Sequence, residues 1–298
     1  MAVVLITGCS SGFGFASAAA FGRAGDRVYA TVRDRSKGAA LERLAATERI
    51  DIRLIYLELT DVASFPSVVN SIVKDAGRID VLVNNAGIHR PGAFEDLDEN
   101  ALREVLETNF FAPLLLARSV LPQMRSQRSG YIIMISSLSG IAGLPADVAY
   151  TASKFALEGA TEALRHEVDR WRIKVALVEA GMYATGLFAK NIDPNATLPF
   201  NYPSSSPYRA LVEYRMRERR ARLPHAFDPN TLAALLVDIP KSDGRQLRWP
   251  ADARAKSIIA TVFGQDDAAR DRFLRDVSGT DWWSDGGEPP PPAVAEHS

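Results

Sequence analysis

Val3-Val4-Leu5-Ile6-Thr7-Gly8-Cys9-Ser10-Ser11-Gly12-Phe13-Gly14 stands close to the start of the chain. Four branched aliphatics in succession read as a short strand buried on both faces, and a glycine-rich turn follows without a break. Beyond Gly14 the pattern Phe15-Ala16-Ser17-Ala18-Ala19-Ala20-Phe21 is helical. A strand, a glycine turn and a helix in direct succession form the place where a dinucleotide pyrophosphate meets a helix N-terminus. Glycine has no Cβ, so the backbone can turn tightly and approach the anion. The spacing is Gly-x-x-x-Gly-x-Gly, unlike the Gly-x-Gly-x-x-Gly of the common dehydrogenase fingerprint. The other reading of these residues is a tight strand-to-helix turn with no ligand.

The same alternation continues outward. Residues 27–32, 52–57 and 81–83 are short apolar runs of strand type, with helical patterns between them. A helix follows near 101–125, a strand at 131–135, a long helix at 148–171 and a strand at 174–179. Strands apolar on both faces need helices on both sides, so the pattern predicts an α/β fold, a doubly wound parallel Rossmann sheet of six or seven strands. After Gly181 the rhythm breaks into a segment with prolines at 194, 199, 203 and 207 among aromatics, which reads as an ordered lid over about 182–222. Asp228-Pro229 looks like an N-cap with proline at the first helical position, and residues 247–249 add a last strand. A helical extension of one or two helices is expected at about 253–276. Residues 1–285 then form a single domain, and the proline-rich tail 286–298 is expected to be disordered.

Composition narrows the chemistry. The chain has 298 residues, 47% apolar and 24% charged, which excludes intrinsic disorder and provides for a sizeable core. Lys and Arg number 35 against 36 Asp and Glu, a formal charge of −1, so no global field exists to hold nucleic acid or an anionic membrane. No apolar run reaches the roughly 18–20 residues of a bilayer span, and no export signal is recognisable. One cysteine, Cys9, cannot form an internal disulfide, and His89, His166, His225 and His297 are too scattered to ligate a metal, so a cytoplasmic setting without a metal is expected.

Tyr150 and Lys154 lie four residues apart at the start of the long helix, so their side chains project from one face, a turn apart. A nearby ammonium stabilises a phenolate and lowers its pKa from about 10, which makes the pair a tunable acid. Ser137 falls at the C-terminal edge of the sheet, where open α/β folds bind ligands, and its hydroxyl can hold a carbonyl or alcohol oxygen. At the end of the second strand an acidic side chain would bind the ribose hydroxyls of NAD and a basic one the 2′-phosphate of NADP; here that strand runs into Arg33. Arg33 could instead pair with Asp34 or Asp61.

These motifs, in this order, resemble the short-chain dehydrogenase/reductase family over residues 2 to about 250. The matching features are Thr7-Gly8-x-x-x-Gly12-x-Gly14, Asn84-Asn85-Ala86-Gly87, Asn109, Ser137 and Tyr150-x-x-x-Lys154. The turn and the second strand look most like the steroid- and retinol-dehydrogenase branch. The resemblance implies hydride transfer between nicotinamide C4 and a ketone, aldehyde or secondary alcohol. Tyr150 would be the general acid or base, Ser137 would hold the substrate oxygen, Lys154 would also hold the nicotinamide ribose, and Asn109 would order a water in a proton relay. Asn109 could also bridge the backbone of the neighbouring strand. The cofactor would lie along Gly8, Ser10, Ser11, Gly12, Phe13, Gly14, Arg33, Glu58, Leu59, Asn85, Ala86, Gly87, Tyr150, Lys154, Tyr183 and Thr185. The family's acidic determinant falls at Val32 and its basic one at Arg33, so NADP(H) is expected ahead of NAD(H). Glu58-Leu59 replaces an Asp-Val pair facing adenine, and Ala180-Gly181 replaces a Pro-Gly.

Ser137, Tyr150, Leu144, Met182 and Phe188 are the expected substrate contacts, with Phe200 and Tyr202 lending the pocket aromatic surface for a bulky apolar or aromatic compound. The basic run from Arg215 to Arg222 could attract an acidic substrate or a nucleic acid, but reads first as a solvated helix face, since Glu213 and Glu218 interleave with it. His89 could line the site but reads first as a loop residue, Cys9 reads as packing, and Trp282-Trp283 as docked on the domain or on a neighbouring subunit. The resembled family pairs through the helices near 101–125 and 148–171, so a homodimer or homotetramer is expected. Two other functions fit parts of the pattern. One is a catalytically silent dinucleotide-binding redox sensor, against which the intact Ser137, Tyr150 and Lys154 argue. The other is a sugar-nucleotide epimerase or dehydratase, which carries different glycine spacing and a larger C-terminal region.

Overall fold

The apolar runs become strands because each finds helices on both of its faces. A computed structural model of the chain describes residues 1–187, 198–199 and 201–291. The strands are β1 (Val3–Ile6), β2 (Arg27–Val32), β3 (Ile52–Tyr56), β4 (Val81–Asn84), β5 (Gly130–Ser137), β6 (Ile173–Ala180) and β7 (Arg248–Pro250). All pair in parallel in the order β3-β2-β1-β4-β5-β6-β7. The order reverses between β1 and β4, which opens a crevice at the C-terminal ends of those strands. The helices are α1 (Gly12–Arg23), α2 (Ala39–Glu48), α3 (Phe65–Ala76), α4 (Glu99–Leu106), α5 (Ala112–Gln127), α6 (Val148–Val168) and α7 (Arg209–Arg222), followed by α8 (Pro229–Asp238), α9 (Ala253–Phe263), α10 (Asp267–Ser278) and α11 (Asp281–Ser284).

Alternate residues of each strand feed two cores. Leu5, Leu82, Ile132 and Leu177 pack with Phe65 of α3 and Leu116 of α5. Their neighbours Ile6, Val83, Ile133 and Val178 pack on the other face with Phe21 of α1 and Leu232 of α8. Each such side chain contributes roughly 1.5–3 kcal/mol on burial, so a one-residue slip of register is excluded. Asp228 caps α8 as expected, accepting from Asn230 N at 2.9 Å.

One expectation changes. The helix expected over 101–125 is interrupted by a π-turn, Glu107–Phe111, between α4 and α5. Pro113 has no N–H to donate to the carbonyl of Asn109 four residues earlier, and the wider turn accommodates that missing bond. The extension over 253–276 forms two helices, α9 and α10, within the one or two expected. Parts of the expected lid (188–197 and 200) and of the tail (292–298) lie outside the described residues. Among the described residues no helix is long and apolar enough to cross a membrane.

Candidate active site

The turn after β1 is built around two glycine positions. Gly8 has φ +74°, and a Cβ there would sit 2.9 Å from Ala86 Cα; on Gly14 it would sit 2.3 Å from the Gly8 carbonyl oxygen. Gly14 therefore serves the close approach of α1 to the turn. Thr7 Oγ1 accepts from the backbone N–H groups of Asn85 at 2.9 Å and Ala86 at 3.0 Å, and Asn85 Nδ2 donates to Thr7 O at 2.7 Å. The Asn-Asn-Ala-Gly segment thus pins the turn to the end of β4. Ser11 precedes α1 without a side-chain capping bond, so the first-turn N–H groups remain available to an anion.

A cleft of about 590 Å³ opens over this turn. Gly8, Ser10, Ser11, Gly12, Phe13, Arg33, Glu58, Leu59, Asn85, Ala86, Gly87, Tyr150, Lys154, Tyr183 and Thr185 all line it; Gly14 alone of the expected cofactor residues lies behind it. The glycines leave bare backbone where Cβ atoms would intrude, Arg33 and Lys37 stand at the end beyond β2, and Lys154 lies by the other. These residues fit an elongated molecule with phosphates, such as a nicotinamide dinucleotide. Lys37 was missed in the sequence because it sits five residues beyond the strand end. Asp34 is occupied in capping the turn Arg35–Lys37, accepting from Ser36 N at 2.9 Å.

β5 ends at Ser137, and α6 opens with Tyr150 in its first turn. The Ser137 hydroxyl accepts from Ser139 N at 3.1 Å and hydrogen-bonds the Tyr150 phenol. Tyr150 and Lys154 are each only 4% exposed. Lys154 Nζ donates to Ile135 O at 2.8 Å, on the strand that carries Ser137. Burial pushes the Tyr150 phenol up to about 12, and the bond to Ser137 opposes this without reversing it. Burial likewise pushes Lys154 down to about 8, against the pull of Glu158 one turn further on. This differs from the expected lowering of the phenol by the lysine: the ammonium is engaged by a backbone carbonyl, and desolvation dominates at the tyrosine. Tyr150 is a neutral acid at pH 7.

The Asn109 side chain is fully engaged. Its Oδ1 accepts from Ile88 N at 2.8 Å, and Nδ2 donates to Ile88 O at 2.8 Å and to Ser153 Oγ at 3.1 Å. It holds the π-turn to the segment after β4 and to α6, so any part in a relay falls to its backbone. Behind Lys154, Glu158 meets Arg248 Nη2 at 3.2 Å, and Glu179 lies 3.6 Å from Arg248 Nε. Burial, with the nearby Glu158 charge, pushes Glu179 up to about 8.

A buried network, of which the sequence reading raised only His89 as a residue lining the site, adjoins Tyr150. His89, expected in a loop, is fully buried; its Nε2–H donates to Asp147 Oδ1 at 2.6 Å, and its ring meets the Tyr150 ring edge-on at 5.3 Å. Arg219 Nη2 pairs with Asp147 Oδ2. Burial works to raise the Asp147 carboxyl, but the Arg219 charge and the hydrogen bonds from His89 and Arg219 hold it well below the usual carboxylate range. Burial lowers the His89 imidazole, so the ring is neutral. The expectation of a solvated face at 215–222 is thereby corrected. α7 lies on its side toward the site, with Arg215 buried and Arg219 mostly so, because Asp147 provides a buried anion that periodicity on α7 could not reveal.

A second pocket, of about 200 Å³, shares Ser137, Ala180 and Gly181 with the cleft. Leu144 and Met182 line it as expected, and Phe188 and Phe200 lie outside the described residues. Its outer wall comes from the C-terminal extension, through Ile258, Phe273 and Leu274. Tyr202 is elsewhere: its hydroxyl bonds Asp96, and its ring packs against the cluster of Leu198, Val212 and Met216.

The sequence profile described as short chain dehydrogenase matches residues 2–196. Retinol dehydrogenase 8 of Homo sapiens is 41% identical over 259 residues, 84% of this chain and 81% of that one. 3-Ketodihydrosphingosine reductase of Bacteroides thetaiotaomicron is 40% identical over 184 residues, which span 62% of this chain and 65%, just under two thirds, of that protein. Among solved structures, a short-chain dehydrogenase from Streptomyces avermitilis superposes with a TM-score of 0.75 at 33% identity, over 96% of this chain and 97% of that one. A metagenomic short-chain oxidoreductase in complex with NADP superposes with a TM-score of 0.65 at 26% identity, over 84% of this chain and 95% of that one.

Proposed function

The chain belongs to the short-chain dehydrogenase family, on its retinol- and steroid-dehydrogenase-like branch, and from that premise we propose that it is an NADP(H)-dependent oxidoreductase acting on a bulky apolar or aromatic ketone, aldehyde or secondary alcohol. The bound nicotinamide supplies or accepts the hydride. Ser137 holds the substrate oxygen, and the neutral Tyr150 phenol donates a proton to it as the carbonyl becomes an alcohol. General acid catalysis of this kind contributes roughly 10²- to 10⁴-fold. Lys154 restores the proton on Tyr150 and holds the nicotinamide ribose. Ser10, Ser11 and the α1 N-terminus hold the pyrophosphate, Tyr183 and Thr185 border the nicotinamide end, and Arg33 with Lys37 pairs the 2′-phosphate.

The observation that carries this reading is the buried Tyr150–Ser137 pair, set where the cleft over the glycine turn meets the pocket walled by Leu144, Phe273 and Leu274. Tyr150→Phe is the test, with NADPH and a panel of hydrophobic aldehydes and ketones. Loss of turnover with retained dinucleotide binding supports it; turnover that persists in the variant contradicts it, and tight binding without turnover in the parent protein favours a sensor. We also infer a homodimer or homotetramer, supported by Phe111, Val148 and Phe155, large side chains left exposed on the π-turn and α6.

A further inference from the structure

The pocket beside Ser137 is apolar on two sides and cationic on a third. Four arginines line it, Arg215, Arg219, Arg222 and Arg254, against three carboxylates, Asp147, Glu218 and Asp252, which leaves a surplus of one positive charge. Asp147 is taken by Arg219 and His89, and Asp252 caps α9 through Ala255 N at 2.8 Å. Arg215 is the unusual member. It is only 7% exposed, its Nη1 donates to Ser278 O at 2.8 Å, and its Nε is buried with no hydrogen-bond partner among the described residues. Burial lowers its pKa, and the charge of Asp147 offsets only part of that. A guanidinium removed from water is normally matched by an anion with bidentate geometry, and here the chain supplies a carbonyl instead.

We propose that the substrate carries a single carboxylate, which docks on Arg215 with Arg222 beside it while its carbonyl meets Ser137 and Tyr150. The surplus of one charge fits a monoanion, and the apolar walls at Leu144, Phe273 and Leu274 fit a hydrophobic spacer between the two groups. A 150 Å³ cavity accepts benzene. The 200 Å³ here therefore suits one aromatic ring or a medium aliphatic chain. The substrate class is an aryl or medium-chain oxo acid, or the matching hydroxy acid. This inference rests on the reading of Ser137 and Tyr150 as the reacting site.

The test compares 4-formylbenzoate and 10-oxodecanoate with their methyl esters as substrates, using NADPH. Charge-assisted hydrogen bonding predicts a kcat/KM about tenfold or more in favour of the acid in at least one pair. Arg215→Gln brings the acid-to-ester ratio close to one. Arg222→Gln lowers it in part and serves where the buried substitution fails to fold, as judged by circular dichroism. Equal turnover of acid and ester overturns the inference and leaves the oxidoreductase reading intact. Binding of 4-isopropylbenzoate against 4-isopropylbenzamide, followed by calorimetry, separates the two ideas when no carbonyl compound is reduced. Carboxylate-selective binding lost in Arg215→Gln then supports the anion site while the hydride-transfer reading fails, and binding without such selectivity overturns the anion site whatever the turnover.

Discussion

Tyr150 and Lys154 are buried to the same extent, yet burial moves them in opposite senses because it penalises the charged form of each. The phenol keeps its proton up to about 12, whereas the ammonium gives up its own near 8. Lys154 is therefore charged below about 8 and neutral above it, so kcat/KM for carbonyl reduction is expected to fall as pH rises through about 8. A profile flat to the ordinary tyrosine range, about 10, would assign no titrating role to the lysine. Arg33 governs the other end of the cleft: Arg33→Ala is expected to raise the KM for NADPH about tenfold or more and that for NADH little, since only the former loses a charged hydrogen bond. Equal effects on both would remove the 2′-phosphate assignment. Both residues were legible in the sequence because their signals are local, a four-residue helical spacing and a strand end. Arg215, His89 and Asp147 were not, since their meaning depends on partners 58 to 130 positions away.

At the scale of elements, β1 to β6 and their helices were readable because strands buried on both faces have a plain apolar signature. The π-turn was not, although Pro113 four residues after Asn109 was its cue. Nor was the part played by α9 and α10, whose apolar residues serve as a pocket wall where composition suggests only packing. α7 was read as solvated over 215–222, because the burial of Arg215 and Arg219 depends on partners on other elements, the Ser278 carbonyl and Asp147. The Asp147–Arg219 pair fastens α7 beside the start of α6, and breaking a buried pair costs about 3–5 kcal/mol. Arg219→Gln is thus expected to lower the melting temperature by roughly 6–12 °C and to speed hydrogen exchange across Arg209–Arg222. The Asp147 carboxyl is depressed in the folded chain, so its stabilising effect is present above the ordinary aspartate value and is lost below it. The difference between variant and parent should shrink as pH falls below about 3.9. An unchanged melting temperature would show that α7 is held by its apolar contacts alone.

The whole molecule is nearly neutral, with a formal charge of −1, and its chemistry is carried by local charges set into an apolar frame. Arg33 and Lys37 mark one end of the cleft and Arg215 the pocket at the other, with the Tyr150–Ser137 pair between them. Exposed Phe111, Val148 and Phe155 lie on the π-turn and α6, so Phe155→Glu is expected to shift the protein from dimer or tetramer toward monomer in light scattering after size exclusion. An unaltered mass would place the interface elsewhere. The most direct measurement is the transfer of deuterium from NADPH labelled at its transferable nicotinamide position. With a hydrophobic or carboxylated aldehyde as acceptor, mass spectrometry is predicted to find the label at the carbinol carbon of the product, and to find none with Tyr150→Phe. An alcohol product without label, or labelled product from Tyr150→Phe at the parent rate, would contradict hydride transfer with Tyr150 as its acid.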